Sequence, residues 1–281
     1  MKNLYLALVL GVCTTLSAMA QGIKMPQPSS SQTIIQEFGL GTITLKYSRP
    51  NVKGRKIFGV GTLQPYGEVW RTGANSATSI KFSDDVTIEG KQVPAGEYGL
   101  FTIPGKNEWT VIINKTPKQW GAYDYKQADD LVRFTVKPET TKELTETFTM
   151  QFANVTTKAC ELVLMWEHTA VNVHLTTDPD AKVMASIDEA MKGEKKPYFQ
   201  AMMYYYENDK DLNKALEWAN ELEKDPNNGM YVKLWKARIL LKQGKKDEAI
   251  ATAKAGADLA RAAKSDEYVR LNEAVIAQAK K

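Results

Sequence analysis

Two spacings of apolar residues divide this chain. From Gln32 to about Thr177 apolar and polar positions alternate, as in Thr42-Ile43-Thr44-Leu45-Lys46-Tyr47, Ser79-Ile80-Lys81-Phe82 and Leu131-Val132-Arg133-Phe134-Thr135-Val136. A period of two sends successive side chains to opposite faces of a strand. Phe148, Met150 and Phe152 share one face in this way, and Cys160, Leu162, Leu164 and Trp166 share another. By the same parity His168 lies on the buried side with Trp166, and His174 lies on the other. Glu89-Gly90-Lys91 reads as a hairpin tip, Pro94-Ala95-Gly96 as a type I turn and Pro104-Gly105 as a type II turn. About nine or ten short strands without intervening helices predict an antiparallel β-sandwich, jelly-roll-like rather than parallel.

After Thr177 the usage is that of helices. Asp178-Pro179 predicts a helix start with Pro at the first helical position. Met203, Tyr206, Ala215 and Ala219 are matched 34 residues later by Ala237, Leu240, Ala249 and Ala253, and Asp225-Pro226-Asn227-Asn228 closes the first unit. A period of 34 with small residues at helix-packing positions is the tetratricopeptide signature. Residues 266–280 then read as a terminal helix over the last apolar face. The class expected is β plus α, with a sandwich over 21–177 and a tetratricopeptide-like helical domain over 178–281.

The first twenty residues stand apart from both patterns. Met1-Lys2-Asn3 is a short positive start, Leu4 to Leu16 is an apolar run, and Ala18-Met19-Ala20 is a small-x-small site. Together they predict a signal peptide cleaved after Ala20, and so an exported protein, periplasmic or associated with the cell envelope. The run is shorter than the ~20 residues a span needs, so no transmembrane span is expected in the mature chain. Cleavage leaves Cys160 as the one cysteine, so no internal disulfide is available and the fold must rest on its core.

Composition narrows the partners. With 43% hydrophobic and 25% charged residues the chain is ordinary globular protein, and a formal charge of +4 gives no case for nucleic acid. Arginine is distributed unevenly. Three of seven, Arg49, Arg55 and Arg71, fall in the stretch 49–78, where an even spread gives fewer than one. That stretch follows neither period and holds Gly54, Gly59, Gly61, Gly67 and Gly73. Long irregular segments inside compact domains are uncommon and often functional. Arginine in place of lysine implies a planar fork, paired with carboxylate or phosphate or stacked on a ring. Two readings stay open: Arg49, Arg55, Arg71 and Asn75 line a cleft for an anionic or glycan ligand with Trp70 as a stacking face, or the arginines brace an irregular loop.

The same stretch resembles a family. Tyr47-Ser48-Arg49-Pro50, Gly54-Arg55, Phe58-Gly59, Trp70-Arg71-Thr72-Gly73-Ala74-Asn75, Pro94-Ala95-Gly96-Glu97-Tyr98, Trp109-Thr110-Val111-Ile112-Ile113-Asn114 and Trp120-Gly121 are similar to the bacterial domain of unknown function 2911, over about residues 27–175. The resemblance implies an exported bacterial protein, some members carrying tetratricopeptide-like tails, and brings no established activity.

Chemistry-bearing spacings are sparse. No HxH, HExxH, CxxC or G-x-S-x-G string occurs, and Gly59-Val60-Gly61 lacks a third glycine at the right distance. No metal and no cofactor is therefore expected. Glu68, Asp84, Asp85, Asp129 and Asp130 could meet across a sandwich as a carboxylate pair, and Trp109, Trp120, Tyr123 and Tyr125 could stack on a sugar or pack in the core. The reading placed first is a non-enzymatic binding protein, with a ligand site at 49–78 and a helical surface for an envelope protein. An extracytoplasmic hydrolase of glycans or anionic envelope components, and a purely structural envelope protein, are the alternatives.

Overall fold

The structure is a computed structural model that describes residues 25–281, so the leader lies outside the described residues. It comprises two compact units, one ending at Asp178 and one running from Pro179 to Lys281.

The first unit is a two-sheet antiparallel sandwich. Its six-stranded sheet takes β1 (Ser30–Phe38), β2 (Gly41–Arg49), β5 (Thr78–Phe82), β8 (Gly96–Ile103), β9 (Trp109–Asn114) and β10 (Asp130–Val136) in that order. The facing sheet runs β11 (Pro138–Ala153), β12 (Ala159–Thr176), β6 (Val86–Ile88) and β7 (Lys91–Val93). Two-residue strands β3 (Phe58–Gly59) and β4 (Gln64–Pro65) pair in parallel within the irregular stretch. Neighbours in a sheet are mostly neighbours in sequence, as in β8-β9-β10, with one excursion of the β6-β7 hairpin to the second sheet. This is nearer a meander than the expected jelly-roll order, in which consecutive strands alternate between sheets. The β6-β7 turn sits at Glu89-Gly90, both at positive φ (46° and 76°), the pattern of a type I′ hairpin. Gly105 does not reach positive φ, so Pro104-Gly105 is not the type II turn expected.

Alternation explains the core. Ile43, Leu45 and Tyr47 of β2, Leu100 of β8, and Val111 and Ile113 of β9 meet Phe148, Met150, Leu162, Leu164 and Trp166 between the sheets. Phe101 and Ile112 point the other way and are still buried, in a small second core with Ala77, Val69, Ala122 and Tyr125. The six-stranded sheet is thus covered on part of its outer face by segments of two long loops, residues 66–77 between β4 and β5 and residues 115–129 between β9 and β10. Parity breaks once in β12. Trp166 is buried, but Glu167 adopts a left-handed backbone (φ 55°), and burial resumes at Ala170 and Val171 on a shifted phase. His168 is therefore exposed, contrary to the parity reading.

The second unit holds helices α1 (Asp180–Ala190), α2 (Tyr198–Glu207), α3 (Leu212–Leu222), α4 (Gly229–Lys242), α5 (Lys246–Ala262) and α6 (Asp266–Ala279). Pro179 caps α1 instead of occupying its first turn. Asp211 caps α3, its carboxylate accepting from the Asn213 and Lys214 amides. The small residues of the repeat, Ala215, Ala219, Ala237, Ala249 and Ala253, are all fully buried, which lets the helices approach closely. Gly256 of α5 lies against Asn272 of α6 and Lys233 of α4 for the same reason. Among the described residues no helix is long and apolar enough to cross a membrane.

Candidate functional site

The irregular stretch is built as a continuation of the sheet. β5 pairs with β8 only as far as Leu100, and beyond it Trp70 takes the vacant edge. The Trp70 amide donates to Thr102 O (2.7 Å), the Thr102 amide donates back to Trp70 O (2.9 Å), and the Gly67 amide donates to Pro104 O (2.9 Å). Backbone groups of a nominal loop are thereby satisfied as in a ladder.

Trp70 is core. It is 3% exposed, stacks on Trp166 with ring centroids 5.6 Å apart, and meets Phe58, Trp109 and Phe148 at 5.0–6.3 Å. Its indole N–H donates to Gly73 O (2.9 Å). A residue so enclosed offers no stacking face to a ligand, which corrects that expectation.

Residues 71–75 then fold into a knot. Thr72, fully buried, is held at φ 52°, a region costly for a β-branched residue. What over-determines it is hydrogen bonding: its hydroxyl is hydrogen-bonded to that of Thr102 (3.0 Å), and its carbonyl accepts from Thr78 Oγ1 (2.6 Å). Gly73 (φ 155°) passes so close to β2 that a Cβ would stand 2.9 Å from Ser48 O. Asn75 is left-handed as well (φ 58°), and its amide reaches Ser29 O (3.3 Å) and Ser48 Oγ (3.4 Å).

The three arginines have different partners. Arg49 donates from Nε to Phe148 O (3.1 Å) and from Nη2 to Thr149 Oγ1 (2.8 Å), tying β2 to the opposite sheet. Arg55 folds back on its own turn, onto Val52 O (3.0 Å) and Asn51 O (2.6 Å). Arg55 uses its fork on the backbone alone, and Arg49 divides its fork between a carbonyl and a hydroxyl. Arg71 differs: its Nε is buried without a partner, and no hydrogen bond or ion pair to its guanidinium occurs among the described residues.

A groove of about 460 Å³ opens beside this knot, on the outer face of the six-stranded sheet. Lys46 and Ser48 of β2, Ser79 of β5 and Glu97 of β8 form its floor, each alternating with a core residue. Ser76, Ala77, Lys118 and Gln119 form a wall, and Ser31 closes one end. The wall is fixed by an antiparallel contact between the two long loops, Ala77 N to Gln119 O (2.9 Å) and Gly121 N to Asn75 O (3.1 Å). Behind it, fully buried Asn114 accepts from the Thr116 amide (2.9 Å) and donates to Asp130 Oδ1 (2.9 Å). Among the described residues the side chains of Ser31, Lys46, Ser76, Ser79, Glu97 and Lys118 make no hydrogen bond or ion pair. Gln119 is 7% exposed, donates from Nε2 to Thr116 O (2.8 Å), and leaves its Oε1 unpartnered. None of Arg49, Arg55, Arg71 or Asn75 lines the groove, although Asn75 holds Ser48 from behind.

A family described as protein of unknown function, DUF2911, matches residues 29–175, the whole of the sandwich and both loops. The chain belongs to this DUF2911 family. Neither a curated protein nor a solved structure matches it. The DUF2911 string Trp70–Asn75 is thus the knot itself, with Trp70 as its anchor and Gly73 at its closest approach to β2.

Other candidates of the DUF2911 domain take structural places. Asp130 accepts from Tyr125 Oη (2.8 Å) and Arg133 Nε (2.5 Å), and Arg133 Nη2 reaches the Tyr125 oxygen (2.5 Å). Burial, together with the Asp130 carboxylate accepting its proton, pushes the Tyr125 phenol up. Asp85 accepts from the Ala95 amide (2.8 Å) and braces a turn. His168 Nδ1 lies 3.1 Å from Thr141 O, and His174 Nδ1 lies 3.4 Å from Glu161. No group of three or more His, Cys, Asp or Glu that could hold a metal occurs among the described residues. Trp109 is in the core, whereas Trp120 is 64% exposed. Sequence reasoning missed Lys46, Ser79, Glu97 and Gln119. Lys46 and Ser79 lie in strands that alternation predicts, but parity marks a solvent face without saying which part of it is concave.

Proposed function

We propose that this DUF2911 protein is exported and binds a small polar ligand, without catalysing a reaction, in the groove between β2, β5, β8 and the two loops. The observation that carries this is the set of unpartnered polar side chains around one concavity. Three serine hydroxyls, two ammonium groups and one carboxylate line it with no protein group as partner. A volume of about 460 Å³ falls within the roughly 300–1,000 Å³ that hold small ligands. Hydrolysis by a carboxylate pair would need a second acid beside Glu97. The signal peptide over 1–20 supports export, and the 34-residue period supports a tetratricopeptide-like surface for an envelope protein.

The test is a thermal-shift screen of saccharides, sugar phosphates and organic acids against wild type, Ser79→Phe and Arg71→Ala. Ser79→Phe fills the groove from its floor. A ligand at a hundredfold excess over Kd stabilises by about 2.7 kcal/mol, a shift expected in wild type and Arg71→Ala and absent in Ser79→Phe. A ligand shift undiminished in Ser79→Phe places binding elsewhere.

A further inference from the structure

The geometry points to a saccharide as the occupant of the groove, with one sugar ring lying on Trp120; this deepens the binding reading above and rests on it. Trp120 adjoins the groove without being one of its lining residues. Its chain neighbour Gln119 and its bridge partner Ser76 both line the cavity. It is 64% exposed, in a chain where Trp70, Trp109 and Trp166 are each 3% exposed or less. An indole left in water beside a concavity is an unspent apolar surface, large and rigid. Its loop fixes it: the Gly121 amide holds Asn75 O, and left-handed Gly121 (φ 69°) lets the Tyr123 ring lie within 2.7 Å of where a Cβ would be. Tyr123 of the same loop is 82% exposed.

The groove supplies what a sugar's hydroxyls need. Hydroxyl groups both donate and accept, so they are matched by a lining of mixed capacity. Ser31, Ser76 and Ser79 do both, Lys46 and Lys118 donate, and Glu97 accepts. A phosphate or a carboxylate accepts only, and would leave Glu97 opposed. It would be expected beside arginine forks, and the arginines here are turned to backbone carbonyls or lie off the groove. One apolar face with polar edges describes a pyranose, and Trp120 beside hydroxyl-rich β2, β5 and β8 is its complement.

The experiment is isothermal titration of the full mature chain with cellotetraose, maltotetraose, chitotetraose and tetragalacturonate, and with inorganic phosphate and citrate as the anion arm. Each is repeated on Trp120→Ala, Trp120→Tyr and Ser79→Phe. Because Trp120 is mostly exposed, its truncation leaves the fold intact, which an unchanged thermal midpoint verifies. The expected result is a saccharide that binds wild type, binds Trp120→Ala at least about tenfold more weakly, recovers in Trp120→Tyr and fails to bind Ser79→Phe. A saccharide lost in Ser79→Phe but held equally by Trp120→Ala overturns the stacking role and leaves the groove. Anion binding alone, abolished by Ser79→Phe, overturns the saccharide and keeps the groove. Binding of none of these probes at millimolar concentration overturns both.

Discussion

Trp70→Ala is the perturbation that separates a core residue from a binding residue. Trp70 contacts four aromatic rings between the sheets and donates its indole N–H to Gly73 O. Truncating a buried aromatic to Ala costs about 3–5 kcal/mol, because the cavity only partly collapses. Gly73 O loses its donor as well, adding about 1 kcal/mol. The sum, about 4–6 kcal/mol, is a large share of the ~5–15 kcal/mol that stabilises a domain. Urea unfolding of the sandwich, followed by near-ultraviolet circular dichroism, measures it, since the stacked Trp70–Trp166 pair contributes directly to that signal. Trp70→Phe keeps most of the volume, and its expected loss is about 1–3 kcal/mol. If Trp70→Ala costs less than about 1 kcal/mol, the enclosed placement of Trp70 is wrong and the stacking-face reading returns.

Gly256→Ala places a Cβ 2.5 Å from Asn272 Oδ1 and 3.0 Å from Lys233 Cβ, so the helical unit should lose about 1–3 kcal/mol in a thermal melt while the sandwich transition stays put. Glu223 gives the helical unit a pH dependence: burial pushes its carboxyl up, but hydrogen bonds and charge from Lys233 and Lys236 outweigh that and hold it below the usual range. A depressed carboxyl contributes stability that is complete above about pH 5.5 and is lost as pH falls through its folded value, so Glu223→Gln should flatten the acid side of the helical unit's stability curve. Burial, with a smaller contribution from the Glu161 charge, pushes the Cys160 thiol up to about 11. Native protein should therefore resist an aromatic disulfide reagent at about pH 8, with rapid labelling appearing only at the unfolding transition.

Strands were legible where parity had one buried face. Ile43, Leu45 and Tyr47 needed nothing beyond alternation, and the same holds for Leu162 and Leu164. His168 was misread because a single left-handed residue, Glu167, shifts the phase, and no residue type announces such a step. The concentration of Arg49, Arg55 and Arg71 was visible by counting. Their targets were not, because a guanidinium meets a carbonyl on a distant strand or on its own turn by virtue of the fold alone. Trp70 and Trp120 both sit beside glycine-containing irregular chain, and only the ladder to Thr102 sends the first inward. The groove depends on two loops meeting at Ala77 and Gln119, a long-range contact that neither loop's sequence encodes by itself.

The exchange of hydrogen bonds between Trp70 and Thr102 has a consequence for motion. An irregular segment of this length ordinarily opens locally and exchanges its amide protons quickly. Here the Trp70 and Thr102 amides can exchange only when β8 loses its edge and the aromatic cluster comes apart, so they should be as slow as the amides of the central strands. The wall of the groove hangs on that slow segment through the Asn75–Gly121 and Ala77–Gln119 bonds. A ligand bound there as proposed would meet a wall already ordered and would forfeit little chain entropy.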